Sequence, residues 1–294
     1  MNNVSFYDIT VGIPTYKRID KLLQTIEKIL YCNPQPNEII VHVDNNDRDS
    51  ERIIKEKYPK IKTIMSENRI GPGGGRNKII SRAKNQIVAS FDDDSYPLDP
   101  DYFTRVITLF EKFPNAAVIS AAIFHIGEII QLDKYTAYSQ NNFVGCGCAY
   151  RRDVFNQTSG YVALPLAYGM EEVDLSLRLI NMQWEIINSP WLRVFHNTRL
   201  EHHTKPQITA ASIANQILLT YLRYPMKFWV LGFLQCINRI FWLIKHGRLT
   251  GILLGIISVP RLILRYQSER QPVTNKSLNK YLNNRDRSTA IDLT

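Results

Sequence analysis

The chain is predicted to be an α/β protein: a mostly parallel sheet flanked by helices, extended by a C-terminal helical segment. Three observations predict this. Short runs of β-forming residues alternate with helical stretches through the first half, the pattern of strands joined by crossover helices. One such run, residues 87–91, ends in Asp92, Asp93 and Asp94, and open α/β sheets bind ligands beyond the carboxyl ends of their strands. From residue 208 onward the chain turns to apolar stretches studded with Trp, Lys and Arg.

Residues 9–14 read as a first strand, stopped by Pro14. Ile19, Leu22, Leu23, Ile26, Ile29 and Leu30 then recur at helical spacing, giving an amphipathic helix. Pro34 and Pro36 break it. A second strand over 38–43 ends in Asp44, Asn45, Asn46 and Asp47; a helix over 53–58 and a third strand over 61–65 follow. The stretch 68–77, GPGGGRN at its heart, reads as a glycine loop leading into a helix through Ala83. It lacks GK[ST], so it is no P-loop, and it follows the third strand rather than the first, which makes it a weak dinucleotide fingerprint. Its backbone can approach a ligand closely, and Arg76 at a helix start suits a phosphate; a plain tight connection is the alternative.

After Pro100 the pattern gives a helix over 102–113 and a strand over 116–124. Residues 125–142 are polar and irregular. A strand over 143–150 contains glycines, which suggest close approach of a ligand or another backbone. Glu171 and Glu172 open a helix whose apolar face is Leu175, Leu179 and Ile180. Acids in a first turn are favoured by the helix dipole alone; beside a metal-binding triad the same position suits a general base.

The acid triad carries the chemistry. Three adjacent carboxylates repel one another, and burying them uncompensated costs several kcal/mol. A cation offsets that cost, and hard oxygen ligands suit Mg²⁺ or Mn²⁺ better than zinc. A solvated acidic turn is the competing reading. The four cysteines (Cys32, Cys146, Cys148, Cys236) form no CxxC pair and read as reduced core thiols in a cytosolic compartment. The N-terminus has no basic region followed by a long apolar run, so no secretory signal is expected.

Together, VGIPTYKR, VHVDNND, NRIGPGGGRN, FDDDSYP, GCGCAYRRDVF and GMEEVDLSLRL, in that order over roughly residues 8–200, resemble glycosyltransferase family 2. The rhamnosyltransferase and galactofuranosyltransferase branches, which build bacterial surface polysaccharides, look nearest. The resemblance implies a GT-A fold, a UDP- or dTDP-sugar donor, and Mn²⁺ or Mg²⁺ at a DXD motif. By it, Pro14, Tyr16, Arg18, Asp44 and Asn45 would line the nucleoside pocket. Asp92 and Asp93 would face the sugar-nucleotide, and Arg76 its diphosphate. Asp94, with Asp92 and His196, would hold the metal. Two departures stand out: Asn45 replaces a usual Asp, and the usual Glu-Asp of the base motif is Glu171-Glu172. The implied chemistry is inverting transfer through an oxocarbenium-like transition state, with Glu172, or Glu171 beside it, removing the acceptor proton.

The formal charge of +9 is unevenly placed. Residues 1–220 carry 24 Lys+Arg and 24 Asp+Glu, whereas residues 221–287 carry 12 Lys+Arg against Glu269 and Asp286. With apolar stretches over 228–244 and 249–264, neither a clean span, this segment fits an in-plane element on an anionic membrane. A buried appendage or homodimer contact is the alternative. The expected organisation is a GT-A domain over 1–205, a membrane-associating helical segment over 206–271 and a frayed polar tail over 272–294. The enzyme would sit peripherally on the cytoplasmic face of the cell membrane and act on a saccharide or polyprenyl-linked acceptor. A catalytically silent nucleotide-sugar binder is the rival. Nucleic acid is not expected as a partner, because basic and aromatic residues accompany apolar helices rather than a groove.

Overall fold

The computed structural model describes residues 8–166, 168–198, 205–283 and 289–292. Strands β1 (Ile9–Thr15), β2 (Glu38–Val43), β3 (Lys62–Met65) and β4 (Ile87–Phe91) alternate with helices α1 (Ile19–Leu30), α2 (Arg48–Lys57) and α3 (Gly71–Arg82). After them come β5 (Ser95–Pro97), α4 (Tyr102–Lys112), β6 (Ala116–Phe124), β7 (Thr136–Gln140) and β8 (Gly147–Arg151). A short α5 (Arg152–Asn156), α6 (Glu171–Asn181) and β9 (Glu185–His196) complete this part. One sheet runs β10-β7-β9-β6-β8-β4-β1-β2-β3, where β10 is Thr289–Asp292 and β5 pairs with β9. The β3-β2-β1-β4 half is parallel; β8 enters antiparallel beside β4, and β6 and β9 are parallel to each other.

Side chains alternate across β4, so Ala89 and Phe91 join one core and Val88 the other. The first core packs β1 on α1 and α4 through Leu22, Ile26, Phe103 and Val106. The second packs the opposite face on α3 and α6 through Ile79, Ile80, Leu175 and Leu179. Clamped on both faces, the middle of the sheet holds the end of β4 rigidly.

Several expectations change. Helix α2 begins at Arg48 rather than residue 53, because Asp47 caps it, accepting from the Ser50 amide (3.4 Å) and hydroxyl (2.7 Å). The glycine stretch is not a loop: α3 starts at Gly71. Its glycines are demanded by crowding, since a Cβ on Gly73 would sit 2.4 Å from Glu171 Oε1 and one on Gly75 2.6 Å from His42 Nδ1. The irregular stretch 125–142 contains β7, which pairs with β9 and β10.

The C-terminal segment forms α7 (Pro206–Arg223), α8 (Trp229–Lys245) and α9 (Ile252–Tyr266). The tail does not fray throughout: α10 (Asn275–Asn283) buries Leu278 and Tyr281, and β10 joins the sheet. A third core unites Leu177 and Ile180 of α6 with Leu218 and Leu222 of α7 and Leu278 of α10. Within it Asp174 of α6 takes Arg178 (2.5 Å) and Arg223 of α7 (2.5 Å), Asp174 and Arg223 being fully buried. Removing one partner of a buried ion pair costs about 3–5 kcal/mol. Asp174→Ala, which strands two guanidinium groups, should lower unfolding stability by that amount in urea titrations. A loss below about 1 kcal/mol would mean the network contributes little.

Candidate functional site

The end of β4 delivers the acid triad to the rim of a cleft of about 1090 Å³. Ser95 fixes the turn: its hydroxyl accepts from the Asp92 amide (2.8 Å) and donates to the Cys146 carbonyl (2.8 Å). The β5–β9 register places Ser95 opposite His196, and the Asn197 amide donates to the Asp94 carbonyl at 2.8 Å. A residue a hundred positions downstream thus lands beside the triad, with His196 Nε2 at 3.3 Å from Asp94 Oδ1.

The three acids have three different surroundings. Asp94 is buried; Arg18 and Lys21 (3.0 Å) both bind its Oδ2, whereas Oδ1 is buried without a hydrogen bond of good geometry. Burial alone would raise its pKa, but His196, Arg18 and Lys21 hold it well below the ordinary carboxylate range. Asp93 is 4% exposed, bound by Thr15 Oγ1 (2.9 Å) and Arg18 (2.9 Å). Burial pushes it up to about 7, against the pull of Arg18. Its carboxylate therefore serves to order Arg18 and α1. Asp92, about a third exposed, is bound by Arg76 at 2.5 Å.

Across the cleft stands the N-terminus of α6. Glu171 is buried, accepts from the Gly73 amide at 2.8 Å and lies 3.7 Å from Arg76. Glu172 is only partly buried, lines the cleft and accepts from the Gly145 amide at 3.2 Å. A Cβ on Gly145 would lie 2.8 Å from Glu172 Oε1 and 3.1 Å from Arg76, so this glycine is what lets the strand approach both. Arg76, 4% exposed and also donating to Ser90 Oγ (2.9 Å), bridges the aspartates and the glutamates. Burial raises both glutamate pKa values, Glu172 adding to the rise at Glu171 and Arg76 opposing it at both.

The nucleoside end is built from β1 and β2. Pro14, Tyr16 and Arg18 line the cleft with Asp44. Asp44 accepts from the amides of Ile70 (3.0 Å) and Gly71 (3.0 Å), tying β2 to the start of α3. Arg69 stands 6.0 Å from the centre of the Tyr16 ring. Asn45 is not part of the cleft wall; its amide donates to the Tyr16 hydroxyl at 3.0 Å. A further group escaped the sequence reading. Lys21 follows Arg18 by three residues, one helical turn, and that spacing was the available signal. Cys146, read as a core thiol, stands beside His196 with Sγ 3.7 Å from Nδ1. All four cysteines are free and buried. His202 and His203 lie outside the described residues.

Fold and cleft define a GT-A protein. Solved structures agree: GalNAc-T7 with UDP, GalNAc and Mn²⁺ superposes with a TM-score of 0.58 at 14% identity, over 75% of this chain and 48% of that one. The mannosyltransferase PcManGT from Pyrobaculum calidifontis, in complex with GDP-Man and Mn²⁺, gives 0.56 at 12%, over 94% and 86%. Residues 10–143 match the glycosyl transferase family 2 model. A glucosyl-dolichyl phosphate glucuronosyltransferase of Haloferax volcanii is 23% identical over 52% of this chain and 55% of its own length. An uncharacterized glycosyltransferase of Methanocaldococcus jannaschii is 33% identical over 41% and 43%. The chain thus spans about half the length of these curated relatives.

Proposed function

We propose that the chain is an inverting, divalent-metal-dependent glycosyltransferase. In this reading it moves a sugar from a nucleotide-sugar to a lipid-linked saccharide acceptor at a membrane surface, in surface polysaccharide assembly. One observation carries the reading. A partly exposed glutamate, Glu172, lines the same cleft as the aspartate triad, and the buried Arg76 pairs with Asp92 and with the neighbouring Glu171. That is the spacing of roles a displacement needs: a base on the acceptor side and charge-neutralising groups on the leaving-group side.

Asp94 and His196, with Asp92, would hold the ion. The buried Asp94 Oδ1 that lacks a hydrogen bond, 3.3 Å from an imidazole nitrogen, fits a carboxylate–imidazole donor pair. When bound, the ion would neutralise charge developing on the departing diphosphate. The chain's own residues do the rest. Tyr16 and Pro14 offer surface to the base. Arg18 and Lys21, already gathered at Asp94, offer positive charge toward the diphosphate. Glu172 Oε takes the acceptor hydroxyl proton, and the Gly145 amide aims that carboxylate. Screening UDP-, dTDP- and GDP-sugars for nucleoside diphosphate release with Mn²⁺ or Mg²⁺ tests the reading. Turnover of at least one donor, abolished by EDTA, is expected; release of none, or undiminished release in EDTA, would overturn it.

The membrane part rests on the second and third helices of the C-terminal segment. Residues Met226–Lys245 are long and apolar enough to cross a membrane by length and composition. One side is nevertheless occupied by protein: a Cβ on Gly232 would meet Thr220 of α7 at 2.3 Å, and Cys236 and Leu243 are buried. Helix α9, 15 residues with Pro260 inside, reaches about 22 Å, short of the roughly 30 Å of a bilayer core. Val230, Phe233, Leu253 and Ile257 are 59–72% exposed, with Arg239, Lys245, Arg261 and Arg265 on the same two helices. An in-plane pair that lies on anionic lipid satisfies these facts. The full chain should co-float with anionic vesicles, only partly released by salt. Each apolar side chain buried in lipid adds about 1.5–3 kcal/mol. Replacing Phe233, Leu253 and Ile257 together with Ser should therefore weaken partitioning by at least about 10³-fold. Unchanged flotation of that variant, or indifference of the full chain to vesicles, would return the helices to a protein interface.

A further inference from the structure

The position of Cys146 gives the proposed metal centre a character that its aspartates alone would not. Asp92, Cys146 and His196 each offer one ligand atom, and these atoms lie within 4.8 Å of one another. Metal–ligand bonds of about 2.0–2.3 Å put ligand atoms at most about 4–4.6 Å apart, so the spread is close to that of a coordination shell. The His196 ring joins two groups of donors. Its Nδ1 is 3.7 Å from Cys146 Sγ, and its Nε2 is 3.3 Å from the buried Asp94 Oδ1 that lacks a hydrogen bond. Asp94 itself is 3% exposed. The two nitrogens point away from each other, so an ion shared by Cys146 and Asp92 would take Nδ1, and Asp94 Oδ1 would hold Nε2 from behind and orient the ring.

The cysteine's setting keeps it there. Its carbonyl is held by Ser95 Oγ at 2.8 Å, the hydroxyl that also shapes the acid turn. Gly145 and Gly147 flank it, and both are places where a Cβ would collide, with Glu172 Oε1 at 2.8 Å and with Ile123 at 2.6 Å. The Sγ position is therefore set by the backbone on both sides and by the turn that presents Asp92. Without a metal, burial holds Cys146 as a thiol, its pKa well above the ordinary value.

We infer that Cys146 Sγ is a ligand of the divalent ion in this cleft, making the centre a mixed carboxylate–imidazole–thiolate site that favours Co²⁺, Zn²⁺ and Cd²⁺ over Mg²⁺. The inference rests on the reading of the cleft as a metal site and specifies its ligands. Soft thiolate selects borderline and soft ions, whereas an all-oxygen set suits Mg²⁺. Ligation replaces the S–H bond by an S–metal bond; the proton leaves to solvent, and no electrons are exchanged.

The test is a Co²⁺ titration of the full chain after dialysis against EDTA, followed by absorption. Wild type should show visible d–d bands together with a near-ultraviolet sulfur-to-cobalt charge-transfer band. Cys146→Ser should keep the d–d bands, which show that the centre is still assembled, but lose the charge-transfer band and bind Co²⁺ at least about tenfold more weakly. Cys148→Ser, whose sulfur contacts the Gly145 carbonyl at 3.6 Å, should retain both. Wild-type d–d bands without charge transfer would overturn the inference and leave the metal reading standing. A charge-transfer band that survives Cys146→Ser would also overturn it. No cobalt spectrum at all would overturn both.

Discussion

Asp94→Asn is expected to abolish metal-dependent nucleotide binding and to lower turnover by at least about 10³-fold, the effect of losing several kcal/mol of charge stabilisation. The substitution keeps the shape but removes the charge that gathers Arg18, Lys21 and His196. Arg18 and Lys21 would then repel an arriving metal ion with no carboxylate to offset them. The measurement is nucleotide affinity by calorimetry with and without Mn²⁺, alongside turnover. Wild-type metal dependence in the variant would show that the ion sits elsewhere. Asp93→Asn is the informative contrast. Its carboxylate is spent on Thr15 and Arg18, so a smaller loss is expected there.

Glu172→Gln is expected to lower the rate by about 10²–10⁴-fold, the usual contribution of a positioned base, while donor affinity stays within a fewfold. Glu171→Gln disturbs the site differently. Glu171 is buried against the Gly73 amide and Arg76, so its loss should appear first as lower stability. If Glu171→Gln is dead and Glu172→Gln turns over normally, the roles are reversed. The pH profile is a second check. A base acts only when ionised, and burial raises Glu172 above its ordinary range. The acid limb of kcat/KM should therefore fall at a pH above the roughly 4.3 of a free glutamate, with full activity on the alkaline side. A rate that stays flat down through that value would rule Glu172 out.

Much of this site could be read from residue order because its pieces lie at element ends. Strand 87–91 and the acids after it are a change from apolar to charged, which periodicity detects directly. The glutamates at the start of α6 are a first-turn signal of the same kind. What periodicity misses is anything defined by tertiary neighbours. The glycines of α3 looked like a loop because their helical state follows from crowding by Glu171 and His42 across the fold. Strands β5, β7 and β10 are 3–5 residues long, and the partners that hold them come from β9 and β7. Asn45 looked like a wall of the nucleoside pocket from its place after β2, whereas its side chain props Tyr16 instead. Cys146 carried no local mark at all, and Lys21 only its one-turn spacing from Arg18.

The pairing of β10 with β7 joins positions about 150 residues apart along the chain. Loop closure over such a length is slow and entropically opposed. As the chain leaves the ribosome, the parallel half of the sheet can assemble while α8 and α9 are still unmade. The apolar pair then emerges before the strand that seals the far edge. Because α10 packs on α6 and β10 pairs with β7, the two helices end up as a loop pinned at both ends rather than a dangling anchor. If the two helices lie on lipid as proposed, that pinning would hold the cleft at a set distance from the bilayer.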